Sequence, residues 1–287
     1  MRFGVSIFLT DETPGPAEVA GLVEDYGFES LWLPDHTHIP AKRESPHPLT
    51  GASLAREYTR NLDVFVALAA AAATTTRLVI GTAICLVPER DPIVTAKQVA
   101  SLDHVSDGRF MFGVGAGWNL EEAENHGVQA KDRFKVLDER VLSMKEIWTH
   151  DEASFSGRFV SFDRIWSWPK PVQRPHPPIL LGSNGPKALA RAAALGAHWM
   201  PGRHRDDDTL LRRIDDYNSL MDGQGGVTLS DTPFDPSRVE RFAQAGVDRG
   251  IYWLPSAGRP EIERRLEEIK VITDQVAREP TARATGT

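Results

Sequence analysis

Continuous apolar runs alternate along the chain with segments whose apolar residues recur every three or four positions, the signature of strands buried on both faces alternating with amphipathic helices. RFGVSIFL (residues 2–9) reads as a strand, and PAEVAGLVEDYGF after it places Val19, Leu22, Val23 and Tyr26 on one helical face. SLWL (30–33) predicts a second strand, followed by a proline-rich irregular stretch over 37–60 and an alanine-rich helix over 62–73. RLVIGTAICL (77–86) predicts the third strand, and the next helix starts after Asp91 with Pro92 in its first turn. RFMFGVG (109–115) predicts the fourth. Phe134, Leu137, Val141, Met144 and Trp148 then step by 3, 4, 3 and 4, which predicts a long amphipathic helix.

Residues 151–178 interrupt the alternation with a predicted hairpin, ASFSGRFVSF, and a proline-dense connector, WPKPVQRPHPP. The rhythm returns with strand PILLG, helix GPKALARAAALG, strand AHWMP, a polar helix over 207–221, a weaker strand near GVTLS, a helix over 236–245, strand RGIYWL and a helix from Pro260. In the last helix Ile262, Leu266, Ile269, Ile272 and Val276 form one stripe. About eight strand–helix units with short spacing require parallel pairing through crossover helices. Eight units in 287 residues favour a (β/α)8 TIM barrel with an insertion before its fifth strand. An open dinucleotide-binding sheet would more often show Gly-x-Gly-x-x-Gly after the first strand, where this chain has TDETPG. Residues 1–277 are expected to form a single domain, and 278–287, REPTARATGT, a mobile tail with nothing apolar to bury.

Composition narrows the partners. The net charge of −7 and the lack of any Lys/Arg block argue against nucleic acid. The longest apolar stretch, VFVALAAAAA from Val64, is about half a membrane span, and the N-terminus has no cleavage-site pattern, so a soluble cytoplasmic protein with no membrane partner is expected. A single cysteine, Cys85, excludes an internal disulfide and a cysteine-based zinc cluster.

Barrels of this kind do their chemistry at the carboxyl ends of the strands. There the chain places Asp35, His36 and His38; Ala83, Ile84 and Cys85; Gly115, Ala116, Gly117 and Trp118; Gly182, Ser183, Asn184 and Gly185; and Trp199, Met200 and Pro201. His36 and His38 alternate on an extended segment and could share an ion, but the fourth, fifth and eighth strand ends add no ligand side chain, so no metal is expected. A solvated turn with Asp35 capping local amides is the plainer alternative. LLGSNGPKALA runs from strand through a glycine-flanked turn into a helix, so its free amides and helix dipole suit a phosphate. With GVGAGW, whose small residues let a flat ring approach the backbone, it points to a phosphate-bearing planar cofactor over the barrel mouth.

LWLPDH, GTAICLVPERDPIVTAKQVASLDHVSDGRFMFGVGAGW, KPVQRPHPPILLGSNGPKALARAA and HWMP together resemble the luciferase-like flavin-dependent monooxygenase superfamily. Within it the chain is most similar to the short branch of oxidoreductases that use the deazaflavin coenzyme F420, over Met1 to about Glu268. The resemblance implies a (β/α)8 barrel, a cis Ala83–Ile84 peptide beneath the cofactor ring, a cofactor contact at Asp35 and a catalytic His36. It also lays Ala116, Gly117 and Trp118 along the cofactor, sets Gly182, Ser183, Asn184 and Gly185 on its phosphate, and completes the cofactor set with Met200 and Pro201. Where sugar-phosphate-oxidising relatives carry a glutamate this chain has Trp118, which argues against a sugar phosphate; Trp118, Trp166 and Trp168 suggest instead an aromatic-walled pocket.

The implied activity is hydride transfer between coenzyme F420 and a small organic substrate, with His36 as acid or base. The alternatives are an FMN-dependent monooxygenase supplied with reduced flavin by a partner reductase, and a catalytically silent flavin- or deazaflavin-binding protein. The resemblance also implies a homodimer or larger assembly.

Overall fold

The structure, a computed structural model, describes residues 1–278 apart from Leu49 and Arg205. In chain order the elements are β1 (Arg2–Ser6), α1 (Pro16–Asp25), β2 (Ser30–Leu33), α2 (Val64–Thr74), β3 (Val79–Thr82), β4 (Cys85–Leu86), α3 (Pro92–Val105), β5 (Phe110–Gly115), α4 (Leu120–Asn125) and α5 (Arg133–Thr149). They continue with β6 (Glu152–Ser156), β7 (Ser161–Trp166), β8 (Ile179–Gly182), α6 (Ala188–Leu195), β9 (His198–Met200), α7 (Asp207–Leu220), β10 (Thr228–Leu229), α8 (Pro236–Gln244), β11 (Arg249–Trp253) and α9 (Arg259–Arg278). The tail expected over 278–287 lies outside the described residues except for Arg278.

Parallel pairing runs β10-β11-β1-β2-β3-β5-β8-β9. A parallel bridge from Trp199 to Val227, with the Trp199 N–H donating to Gly226 O at 2.9 Å, joins β9 to the entry of β10. The chain is therefore an eight-stranded parallel α/β barrel with helices around it. The insertion before the fifth barrel strand, β8, is the antiparallel β6–β7 hairpin and its connector.

Local chemistry sets the helix starts. Asp63 Oδ1 accepts from Phe65 N and Val66 N at 3.0 Å each, so α2 begins two residues later than the apolar pattern predicts. Asp91, Asp206 and Asp235 cap α3, α7 and α8 in the same way.

Two apolar layers result, beside a small third cluster of Ala123, Val128 and Val136. The larger packs the outward strand faces against the helices, with Val19, Leu68, Val99, Met144, Trp148 and Ile214 fully buried. The smaller fills the barrel with Trp32, Leu180, Met200 and Ile251. Trp32 fits because Gly81 faces it, since a Cβ there would overlap the indole, and the indole Nε1 donates to Ser30 Oγ at 2.8 Å.

The predicted third strand is divided into β3 and β4, separated by Ala83 and Ile84; β3 pairs β2 and β5, while Cys85 and Leu86 pair Val114 and Gly115. The short helix α4 was not expected.

Candidate active site

β2 ends at Leu33 and delivers Asp35 and His36 to the mouth of the barrel in opposite roles. Arg90 Nε and Nη2 clasp the Asp35 carboxylate at 2.8 and 2.6 Å, and Leu86 N donates to it at 3.1 Å. Asp35 is buried, and its carboxylate fastens the second strand end to β4 and the turn after it. Burial, with the Asp35 charge second, pushes the neighbouring Cys85 thiol well above its ordinary range.

His36 turns toward α4. Its Nδ1 lies 2.7 Å from Glu122 Oε2, with 6% and 0% of the two side chains exposed. Thr37 N donates to Glu122 Oε1 at 3.0 Å and Asn119 Nδ2 to Oε2 at 3.4 Å. A carboxylate surrounded by donors assigns the imidazole proton to Nδ1 and leaves Nε2 as the end able to exchange one.

Behind this pair sits Glu89, at the end of the 3-10 turn Val87–Glu89. It is buried; burial first, and then the charges of Glu122 and Asp35, push its carboxyl up to about 9. Gly117, at φ +74°, lies against it, and a Cβ there would come 3.3 Å from Glu89 Oε1.

The other wall is aromatic. Trp118 meets His36, His47 and Tyr58 edge to face, with ring centroids 5.8, 5.0 and 6.4 Å away, and the Arg43 guanidinium lies 5.1 Å from its ring. Tyr58 continues to Phe8 at 4.5 Å, and Phe8 stacks on Trp253 at 5.7 Å. Arg43, His47 and Tyr58 all come from the proline-rich stretch over 37–60, which α4 pins: Glu121 Oε1 accepts from Glu44 N and Ser45 N at 3.0 and 2.9 Å. Burial, with Glu57 second, raises the Tyr58 phenol to about 12, so it stays protonated at neutral pH. Burial, then the positive Arg43, lowers His47.

His38 belongs to another cluster, bonded to Thr37 Oγ1 at 2.9 Å and Asn125 Nδ2 at 2.8 Å. Trp166 and Trp168, considered for the pocket, lie elsewhere. They sit on the exposed insertion, where Trp168 O accepts from Lys97 of α3 and Lys170 bonds the carbonyls of Ile147 and His150 at the end of α5.

The Ala83–Ile84 peptide is cis. Ile84 packs into a hollow that two glycines leave: a Cβ at Gly115 would overlap its Cδ1, and one at Gly182 would come 2.6 Å from its Cγ2. Ala116, beside Gly115, is buried.

Beyond β8 the turn over 182–187 is tied to its neighbours. Ser183 O accepts from Trp199 Nε1 at 2.9 Å, Asn184 Oδ1 from Gly202 N at 2.9 Å, and the carbonyls of Asn184 and Gly185 from Arg213 at 2.7 and 3.1 Å. Residues 184–187 are exposed ahead of α6, and a Cβ at Gly185 would meet nothing nearer than Ser183 Oγ at 3.8 Å. Met200 is part of the barrel filling, and Pro201 O accepts from Ser230 N at 3.1 Å.

The structure thus brings His36 and Trp118 together, and separately Ile84, Gly115 and Gly182. Glu122, Glu89, Arg90 and Arg43 join the site without a signal at a strand end. A polar residue followed by three acids in NLEEAEN is a helix-start signal that could have led to Glu122.

The chain is a parallel α/β barrel whose carboxyl-end loops converge on a buried histidine–glutamate pair. The sequence profile of luciferase-like monooxygenases matches residues 2–225, and the chain belongs to that family, whose members are oxidoreductases and monooxygenases. An uncharacterised protein of Mycobacterium tuberculosis is 38% identical over 275 residues, covering 94% of this chain and 97% of the relative. The F420-dependent glucose-6-phosphate dehydrogenase of Nakamurella multipartita is 28% identical over 306 residues, covering 98% and 81%. Among solved structures, a monooxygenase from Streptomyces bottropensis superposes with a TM-score of 0.77 at 18% identity, covering 96% of this chain and 99% of its own.

Proposed function

We propose that the chain, acting as one domain over residues 1–277, is a coenzyme F420-dependent oxidoreductase whose small organic substrate meets the coenzyme at the barrel mouth, with His36 moving the accompanying proton. The observation that carries this reading is the His36–Glu122 pair: a buried imidazole whose tautomer is fixed by a carboxylate at 2.7 Å, beside the Trp118 ring. A hydride transfer to or from a carbon–oxygen bond needs such a group, because the oxygen must lose or gain a proton. The whole-length likeness to an F420-dependent dehydrogenase supports the cofactor choice.

The residues fit the group. The exposed turn at 184–187 is open at Gly185 and leads into α6, which suits a phosphate. Ile84 seated on Gly115 and Gly182, with Ala116, Gly117 and Trp118 beside them, would hold a flat ring; Ser183 and Asn184 would border its phosphate, and Met200 and Pro201 would close the interior side. Asp35 would act through the Arg90 clasp that positions this segment. When bound, the deazaflavin supplies a hydride carrier that reacts poorly with oxygen.

The chain's own part is then specific. His36 Nε2 takes the proton from a substrate hydroxyl or returns it to a carbonyl, and the imidazolium so formed faces the Glu122 carboxylate. Phe8, Tyr58 and Trp118 keep water from the substrate side.

Membership of the luciferase-like monooxygenase family supports a second reading, FMN-dependent oxygenation with a partner reductase. Turnover of coenzyme F420 across a panel of alcohols, aldehydes and ketones tests the first. His36→Ala should lower that turnover by roughly 10²- to 10⁴-fold while leaving coenzyme affinity within a few-fold. Normal turnover, or loss of coenzyme binding, in this variant would overturn the assignment.

A further inference from the structure

Among the described residues three carboxyls converge behind the His36 ring, and two of them have partners that account for a charge. Asp35 is matched by Arg90, which also reaches Asp63 at 3.1 Å. Glu122 accepts from Thr37 N, Asn119 Nδ2 and His36 Nδ1. Among the described residues, none donates an N–H or O–H to either oxygen of Glu89, which is 6% exposed. What lies within hydrogen-bonding reach of it is the Glu122 carboxyl, and two carboxyls share such a contact only through a proton that one of them carries.

No cation among the described residues hydrogen-bonds Glu89, although Arg140 Nε is buried without a partner. Arg90 belongs to Asp35, and Arg140 of α5 spends Nη1 on the carbonyls of Val87, Pro88 and Arg90 at 3.1, 2.6 and 2.7 Å. Of the other titratable neighbours, the buried Cys85 thiol is held uncharged by burial and by Asp35, and burial, with His38 second, lowers His126, which bonds Thr37 Oγ1. An ionised Glu89 would stand in an enclosed site against two like charges with no donor, the arrangement in which a carboxyl keeps its proton.

We propose that Glu89 is the proton-bearing partner of Glu122: its carboxyl donates a hydrogen bond to the Glu122 carboxylate and so keeps a single negative charge behind His36. Glu89 is therefore a positioning residue for proton transfer. With both carboxyls ionised, two anions would stand behind the ring; with one protonated, a single anion faces Nδ1. The inference rests on the reading of His36 as the proton-transferring group, but its test does not depend on turnover.

Infrared spectroscopy of the ligand-free protein at neutral pH should show the carbonyl stretch of a protonated carboxylic acid that disappears in Glu89→Gln. In the parent the same band should vanish as pH rises through about 9. Followed by NMR of the His36 ring, Glu89→Gln, whose amide still donates to Glu122, should leave the titration midpoint where the parent has it. Glu89→Ala, which removes the donor, should move it upward by about one pH unit.

A neutral-pH spectrum unchanged by Glu89→Gln would overturn the proposal. So would a downward move of the His36 midpoint by about one unit in Glu89→Gln, the mark of a lost anion. Should the variant not fold, the pH dependence of the parent band decides alone. Normal turnover in His36→Ala with the infrared band present would sink the His36 reading and leave the Glu89 proton standing.

Discussion

Gly182→Ala separates two roles for the turn after β8. If this glycine makes room for a cofactor phosphate, an added methyl should weaken the cofactor whatever lies on its other side. The geometry gives a different neighbour: the new Cβ would lie 2.6 Å from Ile84 Cγ2, 3.1 Å from its Cδ1 and 3.5 Å from its Cβ. The first distance is far inside van der Waals contact, so the side chain or the strand must shift, at about 1–3 kcal/mol for overpacking. With about 2–4 °C per kcal/mol for a chain of this size, Gly182→Ala should lower the melting temperature by about 2–12 °C.

In an Ile84→Ala background Cγ2 and Cδ1 are gone, and of the three nearest atoms the Cβ at 3.5 Å remains, an ordinary contact. The same glycine substitution should then cost little, giving a coupling of about 1–3 kcal/mol in a double-mutant cycle read by thermal or urea denaturation. Additive costs would refute the packing argument. Loss of cofactor affinity persisting in the Ile84→Ala background would return Gly182 to the phosphate.

Two further stability predictions bear on the carboxyl cluster. Asp35→Asn leaves the half-buried Arg90 with Asp63 as its remaining ion-pair partner among the described residues and should cost about 3 kcal/mol, while coenzyme affinity of the folded variant changes little; a stable variant that loses coenzyme would make Asp35 a direct ligand. Because the folded-state value of Glu89, about 9, lies above that of an unfolded glutamate, its contribution to stability is complete at low pH and is lost as pH rises toward 9, by at most about 1.4 kcal/mol per pH unit. Glu89→Gln should therefore gain on the parent in denaturant unfolding as pH rises from 5 to 9, and parallel pH profiles would refute a buried proton there.

The barrel was readable because strands buried on both faces are continuous apolar runs, as in RFMFGVG, and the helices show three- and four-residue steps, as from Phe134 to Trp148. The break at Ala83 and Ile84 was not readable from periodicity, since TAIC is as apolar as the strands around it; only the family resemblance flagged it, and the cis peptide is present. His36 was visible because it directly follows a strand end. Its partner Glu122 lies 86 residues away in a six-residue helix that is mostly polar, so composition suggests an exposed face. Glu122 is buried because Thr37, Asn119 and His36 satisfy its oxygens, a fact of tertiary pairing that no local pattern encodes. Trp166 and Trp168 mislead in the opposite sense, since large aromatics suggest a pocket while the connector leaves them 77% and 54% exposed on the insertion.

The most direct measurement is a titration of the purified protein with coenzyme F420 and, in parallel, with FMN, following tryptophan fluorescence, to which Trp118 at the mouth contributes. Saturable quenching by coenzyme F420 is expected at micromolar or lower concentration, weakened by substitution at the 184–187 turn, with at least about tenfold weaker binding of FMN. Saturable binding of FMN with no response to coenzyme F420 would contradict it.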